Sequence, residues 1–154
     1  MKLIIEAFLN HSDNKIPQKY TCLGEEISPG MTWEDVPEKT KSFAITMEAI
    51  DVPNRSTPLV LWIVYNISEN VRKFKTNSVP ENALIGTNDL GKTAYSGPCP
   101  EPGAKHHRYI VQLYALDAVV DLPAGATKHD LIHAMKNHIL AEDRAIGTFD
   151  IYKK

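Results

Sequence analysis

The sequence predicts a mainly β fold, a sandwich of two antiparallel sheets with peripheral helices. Three observations carry this expectation. Short β-competent runs dominate the chain, a single segment shows a helical apolar stripe, and proline and glycine crowd the connections.

Taken in order, Leu3 to Phe8 is a short apolar run that reads as a strand. Ser42 to Ile50 (SFAITMEAI) is mixed in polarity but β-competent. Leu59 to Ile67 (LVLWIVYNI) is apolar on both faces, which predicts a central strand. Tyr109 to Leu116 (YIVQLYAL) is another strand, and Gly147 to Tyr152 is expected as a late edge strand. The helix is expected over Thr127 to Glu142. Thr127 suits the N-cap, Asp130 lies near the positive end of the helix dipole, and Leu131, Ile132, Met135 and Ile139 form one stripe.

With 154 residues, the chain is expected to form one domain, residues 1–154, large enough to bury a core. Its 17 Lys and Arg against 19 Asp and Glu give a net charge of -2, and no basic run exists, so nucleic acid is not an expected partner. The longest apolar run, Leu59 to Tyr65, is far too short to span a membrane. Glu6 interrupts the apolar start where a secretion signal needs apolar length, and Cys22 and Cys99 form no Cys-x-x-Cys. The expectation is therefore two free thiols in a reducing cytoplasm. No cofactor is expected.

Gly86 to Thr93 (GTNDLGKT) matches the phosphate-loop pattern G-x-x-x-x-G-K-T letter for letter. That pattern holds phosphate only where a helix starts at the Lys-Thr. Here Tyr95-Ser96-Gly97-Pro98-Cys99-Pro100 follows and cannot continue a helix, and Asp89 would set a carboxylate among phosphate oxygens. No nucleotide site is expected.

The most informative stretch is Tyr95-Ser96-Gly97-Pro98-Cys99-Pro100-Glu101-Pro102-Gly103-Ala104-Lys105-His106-His107-Arg108-Tyr109. Proline restricts this loop and glycine lets backbone come close to a ligand, while the end of the loop delivers an imidazole and a phenol at the mouth of a strand. The segment resembles the second signature of the phosphatidylethanolamine-binding protein family, Tyr-x-Gly-Pro-x-Pro-Pro-x-Gly then His-Arg-Tyr, whose Raf-kinase-inhibitor-like branch includes bacterial and archaeal proteins. Ala49-Ile50-Asp51-Val52-Pro53 with Leu61 to Asn66 resembles a degraded first signature. Residues 27–33 with Val36-Pro37, and Gly147-Thr148-Phe149 after the helix, extend the similarity over nearly the whole chain.

The resemblance implies a two-sheet sandwich with a pocket for phosphate-like anions near the Asp51 and His107 loops. Carried over position by position, it implies ligand-binding roles for Asp51, Pro53, Tyr95, Gly97, Pro98, His107 and Tyr109. Ala49 stands where the family has an Asp and Leu61 where it has a His. Glu48 cannot simply replace the missing carboxylate, because strand side chains alternate and it faces the other way unless a bulge re-aims it. The family also implies cis bonds in the first-signature loop, at positions that correspond to Val52–Pro53 and Thr57–Pro58.

His107 and Tyr109, two apart, share a strand face, and Arg108 and His106 take the other, with Arg108 as a structural ion-pair residue. Asp51 has two readings, a carboxylate that orients the His107 ring or an Asx turn before Pro53. Tyr109 is either a ligand contact or sandwich packing, and Trp33 and Trp62 are core or pocket wall. His129 and His133 have metal-compatible helical spacing but no third ligand, so they are expected in solvent. Cys99 is expected to be inert.

The resemblance therefore implies a non-catalytic protein that binds a small anionic or amphiphilic ligand or a protein partner, with a homodimer as an expected assembly. The alternatives are a scaffold with a lapsed pocket and a small hydrolase using His107 and Asp51, with Ser96 as a paper nucleophile.

Overall fold

A computed structural model describes residues 1–9, 14–103 and 107–151. Among these residues, eight strands make two sheets: β1 (Lys2–Ile4), β2 (Met31–Glu34), β3 (Ser42–Ala49), β4 (Leu59–Ser68), β5 (Lys73–Phe74), β6 (Leu84–Ile85), β7 (Arg108–Leu116) and β8 (Ile139–Thr148). The small sheet has the order β1-β2-β5 and the large one β6-β4-β3-β7-β8, with every pairing antiparallel. The short helix α1 (Glu6–Leu9) follows β1, and α2 (Lys128–Met135) lies between β7 and β8.

The large sheet is buried on both faces at its centre, which explains why the β4 sequence is apolar throughout. Phe43, Ile45, Met47, Trp62, Val64, Val111 and Leu113 pack with Leu3, Trp33 and Phe74 of the small sheet. Ala44, Ile63, Tyr65 and Leu116 meet Leu131 and Met135 of α2 on the other side. Each fully buried aliphatic side chain of this kind contributes about 1.5–3 kcal/mol.

Two bulges interrupt β4. Met47 pairs with Trp62 but the next residue, Glu48, pairs with Val60, so Leu61 is the extra residue. The second shift falls between Phe43 and Ile45. There Asn66 takes a φ of 52°, and its amide both donates to the Val120 carbonyl and accepts from the Val120 N–H, each at 3.0 Å.

Four local expectations are corrected. The helix ends at Met135, and residues 139–142 join a strand that runs to Thr148. Asn137 takes a φ of 69° just beyond the helix. The following residues alternate in exposure and pair with β7 from Arg108 to Leu116. Ile132 and Ile139 of the expected stripe are thus 43% and 41% exposed, while Leu131 and Met135 are fully buried. The late edge strand is the end of this longer β8, and Tyr152 lies outside the described residues. Leu3 to Phe8 splits into β1 and α1.

The structure contains no cis peptide bond among the described residues, so Val52–Pro53 and Thr57–Pro58 are both trans. Asn54 at φ 64° helps the loop turn instead, and Arg55 Nε and Nη2 donate to the Thr57 and Pro58 carbonyls at 3.2 and 3.4 Å. Trans is the lower-energy isomer by about 0.5–1 kcal/mol for an X-Pro bond.

Cys22 and Cys99 form a disulfide, with Cα atoms 5.4 Å apart. The sequence hid this because the two residues are 77 positions apart and meet only through the docking of two loops. The bond removes the ground on which a reducing cytoplasm was expected. Among the described residues, no helix is long and apolar enough to cross a membrane.

Candidate functional site

The signature loop is fastened to the segment around residues 18–26. Tyr95 Oη donates to the Tyr20 carbonyl at 2.7 Å, and its ring stands edge-on to Trp62 at 5.3 Å. The Gly97 N–H donates to Glu26 Oε1 at 3.1 Å, and the Pro98 carbonyl accepts from the Cys22 N–H at 3.1 Å. A Cβ on Gly97 would lie 2.4 Å from the Tyr20 carbonyl oxygen, so only glycine allows this approach. Tyr95, Gly97 and Pro98, expected at a ligand, thus use these groups to dock the loop. Burial first, then the charge of Glu26, raises the Tyr95 phenol well above its ordinary value.

The phosphate-loop look-alike braces the same region, and no helix begins at Lys92. Asn88 Nδ2 donates to the Leu61 carbonyl, the Ala94 carbonyl and Ser96 Oγ, while its Oδ1 accepts from the Leu90 and Lys92 N–H groups. Asp89 Oδ2 accepts from the Val60 N–H at 2.8 Å and pairs with Arg55. Together they tie the turn to the bulge at Leu61.

At the other end of the loop, five ionisable residues among those described gather where β7 begins: Asp51, His107, Arg108, Tyr109 and Asp150. His107 is 4% exposed and Tyr109 2%. Asp51 does not hold the imidazole. Its two oxygens take the Arg108 backbone N–H, Nε and Nη2, each at 2.9 Å. This confirms Arg108 as a structural ion-pair residue and makes Asp51 a latch between the first-signature loop and β7. Hydrogen bonding by Arg108 holds the Asp51 carboxyl below its ordinary value, and the charge of His107 adds to that. Pro53 is exposed in the turn of that loop.

The carboxylate facing the imidazole is Asp150. Its Oδ1 accepts from the His107 N–H at 3.1 Å and lies 3.4 Å from Nδ1. With Asp150 ionised, Nδ1 carries the proton and Nε2 is the ring's remaining hydrogen-bonding nitrogen. Burial, then the charges of Asp150 and Asp51, raise the Tyr109 phenol. Sequence reasoning missed Asp150, although it directly follows the Gly147-Thr148-Phe149 segment. His106 lies outside the described residues.

Ala49 pairs with Tyr109 across the sheet, and Ala49, Leu61 and Tyr109 all belong to the main core. The absent carboxylate and imidazole are therefore replaced by buried apolar side chains. Glu48 faces the other way, as alternation requires, and pairs with Lys128. The residues of a conceivable Ser-His-Asp triad are engaged separately: Ser96 with Asn88, His107 with Asp150, Asp51 with Arg108. His129 and His133 are exposed on α2.

Residues 9–150 match the family model described as phosphatidylethanolamine-binding protein. A UPF0098 protein of Methanothermobacter thermautotrophicus is 38% identical, covering 97% of this chain and 98% of that one. The UPF0098 protein of Chlamydia muridarum is 41% identical over 97% of this chain and 99% of its own. Among solved structures, a putative phosphatidylethanolamine-binding protein homologue from Chlamydia trachomatis superposes with a TM-score of 0.87, at 38% identity over 96% of this chain and 95% of that one. E. coli YbcL superposes with a TM-score of 0.88 over 97% of this chain and 98% of that one, at 24% identity, which bears on the fold alone.

Proposed function

The chain belongs to the phosphatidylethanolamine-binding protein family, and we propose that it is a non-catalytic binder of a small ligand or a partner, with a partly degraded anion site. The observation that carries this reading is the buried His107 and Tyr109 pair beside Asp150, at a sheet end where Ala49 and Leu61 are apolar. In this reading Tyr109 donates a hydrogen bond to the ligand and His107 presents Nε2 to it. Asp51, Pro53, Tyr95, Gly97 and Pro98 shape the rim and hold it still. A protein partner or a second copy would use the same end of the sandwich.

Phosphate-type anions should bind weakly, since Arg108 is committed to Asp51 and the carboxylate of Asp150 repels a second anion. The expected dissociation constants are millimolar or weaker, which corresponds to about -4 kcal/mol or less in magnitude. Neutral or apolar groups should fare better beside Leu61. Titration calorimetry of the natural chain, Ala49→Asp, Leu61→His and the double variant with phosphate and phosphoethanolamine tests this. The double variant should gain more than the sum of the single changes, because the two positions couple. Micromolar phosphate binding by the natural chain, or no gain in a folded double variant, refutes the reading. A scaffold that acts through its surface alone predicts no small-ligand binding by any variant.

A further inference from the structure

Strand β8 is the outermost strand of the large sheet, and its outer edge is long. It runs from Ile139 to Thr148 without a proline, whereas β6 at the opposite edge spans Leu84–Ile85 alone. Exposure alternates along β8. Ala141, Asp143 and Ala145 are half-buried, while Leu140, Glu142, Arg144 and Ile146 are exposed. The backbone divides in the same way. The His107 carbonyl faces β8 and accepts from the Phe149 N–H, and the Arg108 carbonyl faces β3 and accepts from the Ile50 N–H. Odd positions of β7 therefore bond to β8, and their register partners from Ala141 to Gly147 are the odd positions of β8. The even positions turn their N–H and C=O to the edge. Thr148 shows this directly, because its carbonyl accepts from the Ile16 N–H at 2.7 Å and so closes the edge at that end. The backbone groups of Glu142, Arg144 and Ile146 have no such partner among the described residues. Leu140 beside them is the extra residue of a bulge, since Ala115 pairs with Ala141 and Leu116 with Ile139.

We propose that this edge pairs antiparallel with the same edge of a second copy of the chain, about a two-fold axis at Asp143, which joins the two large sheets into one. The side chains dictate the register. Edge-facing positions are even, so even must meet even. With Asp143 opposite itself, Glu142 faces the second copy's Arg144 and Arg144 faces its Glu142. Leu140 and Ile146, 37% and 36% exposed, then face each other across the join. Centring the pair on Glu142 would set that residue against itself, and centring it on Arg144 would do the same there. Charges on an edge strand ordinarily ward off pairing. Here an acid and a base stand symmetrically about Asp143, so a copy of the same strand meets opposite charges and an unrelated strand does not. Neither Glu142 nor Arg144 forms an ion pair within its own chain among the described residues.

Asp143 meets its copy at the axis, but on the inner face of the sheet. There its carboxylate accepts from the Leu3 N–H of its own chain at 2.7 Å. That like-charge neighbour keeps the association weak and reversible. A contact along β8 is separate from one at the His107 end of the sandwich, and the two cover different amides.

The test is sedimentation equilibrium of the full chain from micromolar to millimolar concentration, with hydrogen exchange read by NMR over the same range. A monomer–dimer equilibrium is expected. Exchange at the amides of Glu142, Arg144 and Ile146 should slow as concentration rises, and the amides of residues 107–109 should keep their rates. Glu142→Arg and Arg144→Glu, each setting like charges opposite, should weaken the dimer about tenfold or more. The double variant Glu142→Arg with Arg144→Glu should restore it, because the swapped charges again match. The exchange pattern and the double variant decide the matter if either single variant unfolds. A monomer at every concentration overturns the proposal. So does a dimer that leaves exchange at residues 142, 144 and 146 unchanged, one that survives the single reversals, or a folded double variant as weak as the singles. None of these outcomes touches the reading of the His107 site, which is tested by ligand titration.

Discussion

Asp51 makes three contacts with Arg108, all at 2.9 Å, and so joins the 51–58 loop to the start of β7. Its carboxyl is held below the ordinary 3.8, which fixes the sign of a pH effect. As pH falls, the unfolded chain takes up this proton before the folded one does. The stabilisation is therefore complete above 3.8 and is lost as pH drops through the lower, folded value. Urea unfolding of the natural chain and Asp51→Asn should show the variant less stable at neutral pH, with the gap closing in acid. A gap that stays constant into acid contradicts the latch. Glycine gives a second prediction at this scale. Gly97→Ala places a Cβ 2.4 Å from the Tyr20 oxygen and 3.0 Å from the Thr21 Cα, both backbone atoms that cannot swing away. It should destabilise by about 3 kcal/mol or more. Gly91→Ala meets nothing within 4 Å but sits at φ +76°, so only backbone strain of about 1–2 kcal/mol is expected. Denaturant midpoints of the two variants measure the difference.

Among the elements, α2 is short for its sequence pattern and depends on its start. Thr127 Oγ1 accepts from the Asp130 N–H, and Asp130 Oδ2 accepts from the Thr127 N–H, a complete capping box. Thr127→Ala should cost about 1 kcal/mol in chemical unfolding, and Thr127→Ser should restore most of it. The same helix begins with Lys128 on Glu48, so its docking also fixes the outer face of β3. Strand β4 shows the complementary case. Its bulge turns Leu61 into the main core next to Trp62 rather than leaving strict alternation. The carbonyl of Leu61 then serves as the anchor for Ser96 and Asn88. The signature loop is positioned by an element whose irregularity no period count reveals.

For the whole molecule, the Cys22–Cys99 bond closes a separation of 77 residues. In the chain-entropy account such a closure contributes about 4.5 kcal/mol, as an upper figure. Unfolding with and without dithiothreitol, checked by alkylation and intact mass, should show a loss of a few kcal/mol on reduction. Cys22→Ser should match the reduced protein, and Cys99→Ser should behave the same way. Equal stability of the oxidised and reduced forms, with the bond verified by mass, contradicts this.

The sequence alone determined the strand-rich sandwich, the burial of β4 on both faces, the absence of a phosphate-binding helix at Lys92 and the outward Arg108; β3, not β4, is the middle strand of the large sheet. Each depends on local information: hydrophobic period, proline and glycine positions, and side-chain alternation. The family, too, was legible, in the run from Tyr95 to Tyr109. Tertiary structure alone decided which carboxylate meets which partner. Asp51 and Asp150 are separated by most of the chain, and only the pairing of β7 with β3 and β8 sets one on Arg108 and the other on His107. The disulfide and the end of α2 were hidden for a related reason. A thiol pair forms where loops dock, and residues 139–142 leave a helical pattern because the β7 edge offers them a ladder. Such contacts are non-local, and no window along the chain contains both partners.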